Sequence, residues 1–101
     1  MTTRLDVGWL WDVLESRRAA DPESSYTARL LAEGPDRIGR KIGEEAAETI
    51  IAGMRLRHAG ASSSELVEEA ADLVYHLLVF LLALGVEPAD VLAELERRHR
   101  S

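Results

Sequence analysis

Glu45 and Glu48 lie three residues apart in KIGEEAAETI (residues 41–50), and Glu69 and Asp72 repeat that spacing in EEAADLVYH (residues 68–76). On a helix, residues three apart share a face. Lys41 stands one turn before Glu45, and His76 one turn after Asp72. Carboxylates in such pairs either face water or combine around a cation. The chain has no cysteine, which excludes disulfides and thiolate metal sites. An all-oxygen donor set then favours a hard ion, Mg²⁺ or Mn²⁺, over zinc. A carboxylate-bridged di-iron bundle is disfavoured, because it places histidine at the third position after glutamate. Here His76 follows Asp72 at the fourth.

The elements that must position these residues read as helical almost throughout, with no sustained β-type alternation. A first helix is expected from about Asp6 to Ala20, with Val7, Leu10, Trp11 and Leu14 on one stripe and Asp21-Pro22 as its stop. A short helix follows from about Ser25 and closes at Gly34. A third opens at Pro35 and runs to about Arg57. After a turn over 60–64, with Ser62 and Glu65 as a capping box, a fourth runs to Leu84 and stops at Gly85. A last helix from Pro88 is expected to carry Val91, Leu92 and Leu95 inward. The expected fold is all-α, a single domain over 1–101 with four to five helices in a bundle.

On the fourth helix, Glu65, Glu69, Asp72 and His76 fall within a sector of about 60°; Lys41, Glu45, Glu48 and Ala52 occupy a comparable one on the third. If these helices pair antiparallel about a turn between His58 and Ala59, Glu45 is level with Asp72 and Glu48 with Glu69. The turn read from the sequence centres nearer Gly60 or Ala61, an axial offset of about 3–7 Å. The four carboxylates can therefore converge between the helices. Like charges that close either raise one another's pKa or require a cation. The ordinary alternative is a solvated acidic face, for which EAAE is good helix-forming sequence.

The bulk properties narrow the class. Apolar residues are 47% and charged residues 30%, a globular balance in one small domain. A net charge of −6 argues against a nucleic-acid binder but leaves a nucleotide substrate open through a bridging cation. Residues 1–10 show no signal peptide, and the longest apolar run, residues 73–84, is too short to span a bilayer. A soluble, cytoplasmic protein without membrane or nucleic-acid partners is expected. Because the second half of the fourth helix is apolar nearly all round, a homodimer or higher even oligomer with this helix at the interface is expected too.

SYTARLLAEGPDRIGRKIGEEAAETIIA followed by EEAADLVYHLLVFLLALGVEPADVLAELERR closely resembles the phosphoribosyl-ATP pyrophosphatases of histidine biosynthesis. The ExxE…ExxD pattern alone is shared with the wider all-α, MazG-type nucleoside-triphosphate pyrophosphatases. SYTA, KIGEEAAE and DLVYH in that order point to the histidine enzyme. The resemblance implies Mg²⁺-dependent hydrolysis of 1-(5-phosphoribosyl)-ATP to 1-(5-phosphoribosyl)-AMP and pyrophosphate. It also implies an all-α dimer with active sites near the interface. Without cysteine or spare length, the chain reads as the stand-alone pyrophosphatase rather than a fusion to the cyclohydrolase.

On that resemblance Glu45, Glu48, Glu69 and Asp72 would hold Mg²⁺. Glu44 would be an outer ligand or water-orienting base, or simply a solvated residue. Lys41 would neutralise a phosphate, the alternative being an i,i+4 pair with Glu45. Arg37 and Arg40 are further phosphate candidates. Ser25, Tyr26 and Thr27 offer hydroxyls at a helix start, where they could bind phosphate or merely cap. His76 would bond a metal carboxylate or the substrate, or be a satisfied core histidine. Two other functions compete: a house-cleaning pyrophosphatase of free nucleoside triphosphates, and a non-enzymatic helical dimerisation module whose acids only solubilise it.

Overall fold

The computed structural model describes residues 6–100, so residues 1–5 of the stretch read for a leader, and Ser101, lie outside it. Among the described residues there are five α-helices and no strand: α1 Gly8–Ser16, α2 Tyr26–Glu33, α3 Pro35–Ala59, α4 Ser63–Leu84 and α5 Pro88–His99. No single helix among them is long and apolar enough to cross a membrane.

The centre is the α3–α4 hairpin. Gly60, at φ 67°, takes the left-handed conformation that ends α3, and Ala61 N–H reaches back to the Arg55 carbonyl at 3.3 Å. That is a Schellman-type closure, open to glycine without steric cost. The helices then run antiparallel. Arg55 pairs with Glu65 at 2.8 Å near the tip, and a methyl built on Gly39 would stand 3.8 Å from Phe80 near the base. Gly34, at φ 97° and ψ 172°, makes the sharp turn from α2 into α3. Such a backbone favours glycine strongly. The turn lays α2 across the base of the hairpin, beside α3 and α4.

Leu14 of α1, Leu30 of α2, Ile38 of α3 and Leu78, Val79 and Leu82 of α4 form the buried core. Val7, Leu10 and Trp11 pack against it, so the expected α1 stripe does face inward. The core occupies the base of the hairpin. Toward the tip, Ile50, Ile51, Met54 and Val67 remain exposed.

Three sequence expectations are corrected. The first helix is shorter than Asp6–Ala20: Asp6 Oδ1 accepts the Gly8 N–H at 2.7 Å ahead of it, and 17–20 form tight turns after it. The next positions of the stripe after Leu14 fall on Arg17 and Arg18, and Arg18 donates to the Leu82 carbonyl at 3.3 Å. The capping box is only half formed. Ser62 accepts the Ser64 N–H, while the Glu65 carboxylate is drawn to Arg55. Finally, Val91, Leu92 and Leu95 do not turn inward but are 41%, 54% and 45% exposed. The axis bends by 110° between α4 and α5, so α5 leaves the hairpin without burying any residue.

Candidate metal-binding and active site

Three of the four predicted carboxylates come together. One oxygen each from Glu45, Glu48 and Glu69 lies within 4.8 Å of the others. Asp72 is exposed and stands outside that trio, yet near enough for its charge to act on both Glu45 and Glu69. The cause is the register. With the turn at Gly60–Ser62, Glu45 comes level with His76 rather than Asp72, their Oε1 and Nδ1 atoms 3.8 Å apart. Glu48 still meets Glu69 because both are long enough to span the offset.

The trio is an electrostatic problem that the protein chain does not solve by itself. Glu45 is only 5% exposed, and burial, followed by the charge of Asp72, pushes its carboxyl above the usual range. Glu69 is pushed up as well, first by close approach to the Glu48 carboxyl, as if sharing a proton, and then by burial. Glu45 Oε2 and Glu69 Oε2 are buried and have no hydrogen-bond partner. Orphaned buried acceptors of this kind are uncommon and costly. Three carboxylates this close, with two buried oxygens among them unpaired, match a hard divalent cation.

Around the trio, each remaining candidate has a definite place. Lys41 Nζ lies 3.8 Å from Glu45 Oε1 and 3.7 Å from Glu44 Oε2, so it bridges the buried acid to an exposed one. Arg37 pairs with Glu33 at 3.4 Å on the surface. Arg40 is exposed on the same helix, and no ion pair is formed by it among the described residues. Ser25 caps α2 by accepting the Ala28 N–H at 3.2 Å. Tyr26 and Thr27 spend their hydroxyls on α4, Tyr26 on His76 Nε2 at 3.0 Å and Thr27 on the Tyr75 hydroxyl.

His76 is buried, and both of its ring nitrogens are engaged. Nδ1 stands 2.8 Å from the Asp72 carbonyl oxygen. A carbonyl can only accept, so Nδ1 carries the proton. In the neutral ring Nε2 then accepts from the Tyr26 hydroxyl. Tyr75, which the sequence reading did not single out, meets the His76 ring edge-on at 5.0 Å and stacks on Tyr26 at 6.1 Å. Burial pushes its phenol up, against a smaller opposing effect from Thr27. Its position beside His76 in DLVYH was the one available signal.

The chain was compared with known proteins. A family model described as phosphoribosyl-ATP pyrophosphohydrolase matches residues 7–99. The phosphoribosyl-ATP pyrophosphatase of Acidovorax sp. (strain JS42) is 52% identical over 89 residues, covering 85% of this chain and 67% of that protein. The enzyme of the same name from Polaromonas sp. (strain JS666 / ATCC BAA-500) is 50% identical over 95 residues, covering 88% and 75%. That from Cereibacter sphaeroides (strain ATCC 17025 / ATH 2.4.3) is 52% identical over 85 residues, covering 84% and 78%.

Proposed function

The chain belongs to the phosphoribosyl-ATP pyrophosphohydrolase family, and from that premise we infer that it hydrolyses 1-(5-phosphoribosyl)-ATP to 1-(5-phosphoribosyl)-AMP and pyrophosphate, the second step of histidine biosynthesis. The observation that carries the chemistry is the convergence of Glu45, Glu48 and Glu69, with two buried oxygens lacking partners. We propose that this trio, with Asp72 at its exposed edge, holds Mg²⁺, and that Mn²⁺ substitutes for it. Bound there, the ion would neutralise phosphate oxygens and favour attack by water.

The residues around it have the following parts in this reading. Lys41 is poised at the rim, where it can exchange its loose contacts with Glu44 and Glu45 for a phosphate oxygen. Arg37 and Arg40 stand on the same helix as further phosphate contacts. Glu44, exposed beside Lys41, orients water or accepts its proton. The overall step breaks the anhydride bond between the α and β phosphorus atoms. The water oxygen bonds to one phosphorus, the bridging oxygen leaves with the other, and one proton is released.

We also propose a homodimer or higher even oligomer. Val74, Leu77 and Leu84 of α4 and Val91, Leu92 and Leu95 of α5 are exposed in the single chain. An apolar surface of that extent needs covering, and a second copy would cover it symmetrically. A cytoplasmic location fits the absence of cysteine. The substrate assignment is tested by pyrophosphate release from phosphoribosyl-ATP against a panel of deoxynucleoside triphosphates. Preference for phosphoribosyl-ATP is expected; preference for a deoxynucleotide would move the chain to the house-cleaning class.

A further inference from the structure

Tyr26 is on α2, remote in sequence from the acids, yet its hydroxyl ends on His76, whose other nitrogen faces the acidic site. The ring is held at four points. Nδ1–H donates to the Asp72 carbonyl at 2.8 Å, Nε2 receives Tyr26 at 3.0 Å, and the rings of Tyr26 and Tyr75 meet it edge-on at 5.9 and 5.0 Å. The Nδ1 edge stands 3.8 Å from Glu45 Oε1, and Lys41 Nζ lies at the same distance from that oxygen. Glu45 Oε1 therefore faces two positive edges, which leaves Oε2 as the oxygen without a partner.

We propose that Tyr26 is a positioning residue for Glu45, acting through the orientation of the His76 ring, and not a contact for the substrate. This rests on the reading of the acidic trio as a cation site. The Asp72 carbonyl holds the proton on Nδ1, so Nε2 accepts from the Tyr26 hydroxyl and the ring is pinned at both ends. Without that donor Nε2 is a buried acceptor with no partner. The ring would then be held at one end only, by the Asp72 carbonyl. The ring would turn away, and Glu45 would lose the wall that aims its second oxygen. Outer partners of this kind orient metal-binding side chains and set their affinity.

The test compares wild type, Tyr26→Phe and Tyr75→Phe. The tyrosine 75 variant removes the hydroxyl contact with Thr27 in the same α2–α4 junction but leaves both nitrogens of His76 engaged. Nitrogen-15 NMR of the metal-free proteins reads how well the His76 Nδ1–H is protected from solvent exchange, and titration with Mn²⁺ alone reads affinity. The expected result is an Nδ1–H protected from exchange in wild type and Tyr75→Phe, and a rapidly exchanging one in Tyr26→Phe. Mn²⁺ affinity should fall roughly tenfold in Tyr26→Phe, the low end for an outer-shell loss, and hold in Tyr75→Phe. An unprotected Nδ1–H in wild type would overturn the proposal. So would Tyr26→Phe binding Mn²⁺ as tightly as wild type, or Tyr75→Phe losing as much affinity. A wild type that binds no Mn²⁺ at all would remove the cation reading and this inference with it.

Discussion

Lys41 Nζ lies 3.8 Å from Glu45 Oε1, joining an accessible ammonium to a carboxylate that is almost wholly buried. The distance is long for a committed ion pair, and Lys41 also reaches Glu44 at 3.7 Å. A lysine divided between two acids is readily drawn to a phosphate.

Replacing Lys41 by Met separates its two possible parts. If it serves the phosphate, KM for the substrate should rise by about tenfold or more, a lost charge-assisted contact being worth roughly 1.5–3 kcal/mol. Mn²⁺ should bind the variant as tightly as wild type or more so, since a competing positive charge has gone. Parallel loss of metal and substrate affinity would instead make Lys41 a support for Glu45.

Glu45→Gln removes a ligand and a repulsive charge together. Turnover should drop by more than about 100-fold, beyond the usual cost of an outer partner. The metal-free variant should melt higher than metal-free wild type, by roughly 2–6 °C for a domain of this size. Thermal melts with and without Mg²⁺ check both halves: Mg²⁺ should raise the wild-type midpoint and leave the variant's alone.

The acids also fix the sign of a pH dependence. Glu45 and Glu69 are both raised above the ordinary 4.5 in the folded protein, Glu45 first by burial and Glu69 first by Glu48. A carboxyl held high in the fold favours folding when protonated. That stability is complete below 4.5 and is lost as pH rises through the folded-state values. Metal-free protein should therefore become less stable as pH rises above 4.5 through those raised values, and saturating Mg²⁺ should flatten the trend. Glu94, held below 4.5 by Arg97 and then Arg98 on exposed α5, acts in the opposite sense at lower pH. Denaturant midpoints across this range, with and without Mg²⁺, are the measurement.

Leu92 and Leu95 should matter to assembly more than to the fold of one chain, since α5 buries nothing against it. The double substitution Leu92→Glu with Leu95→Glu should shift sedimentation from dimer toward monomer while helicity per residue is kept. An unchanged sedimentation coefficient would place the interface elsewhere.

Much of this was legible in the residues, and the misses have physical causes. The period of the apolar positions gave the α3–α4 hairpin and put Glu45, Glu48, Glu69 and His76 on facing sides. It could not give the axial register, because that depends on how Gly60 closes the turn and on how far each side chain reaches. So Glu45 was matched to Asp72 when it is level with His76. The hydroxyls of Tyr26 and Thr27 looked available because their partners, His76 and Tyr75, are some fifty residues away. The apolar face of α5 was expected inward because periodicity marks a face to be covered without saying by which molecule.

The central claim is that Glu45, Glu48 and Glu69 hold the ion on which hydrolysis of phosphoribosyl-ATP depends. The most direct measurement is initial pyrophosphate release from phosphoribosyl-ATP against free Mg²⁺, for wild type and for Glu69→Gln. Wild type should be silent under chelation and rise to saturation as Mg²⁺ is restored. Glu69→Gln, though folded, should require far more Mg²⁺ or stay silent. Turnover that persists under chelation, or a Glu69→Gln curve that overlies wild type, would contradict the account.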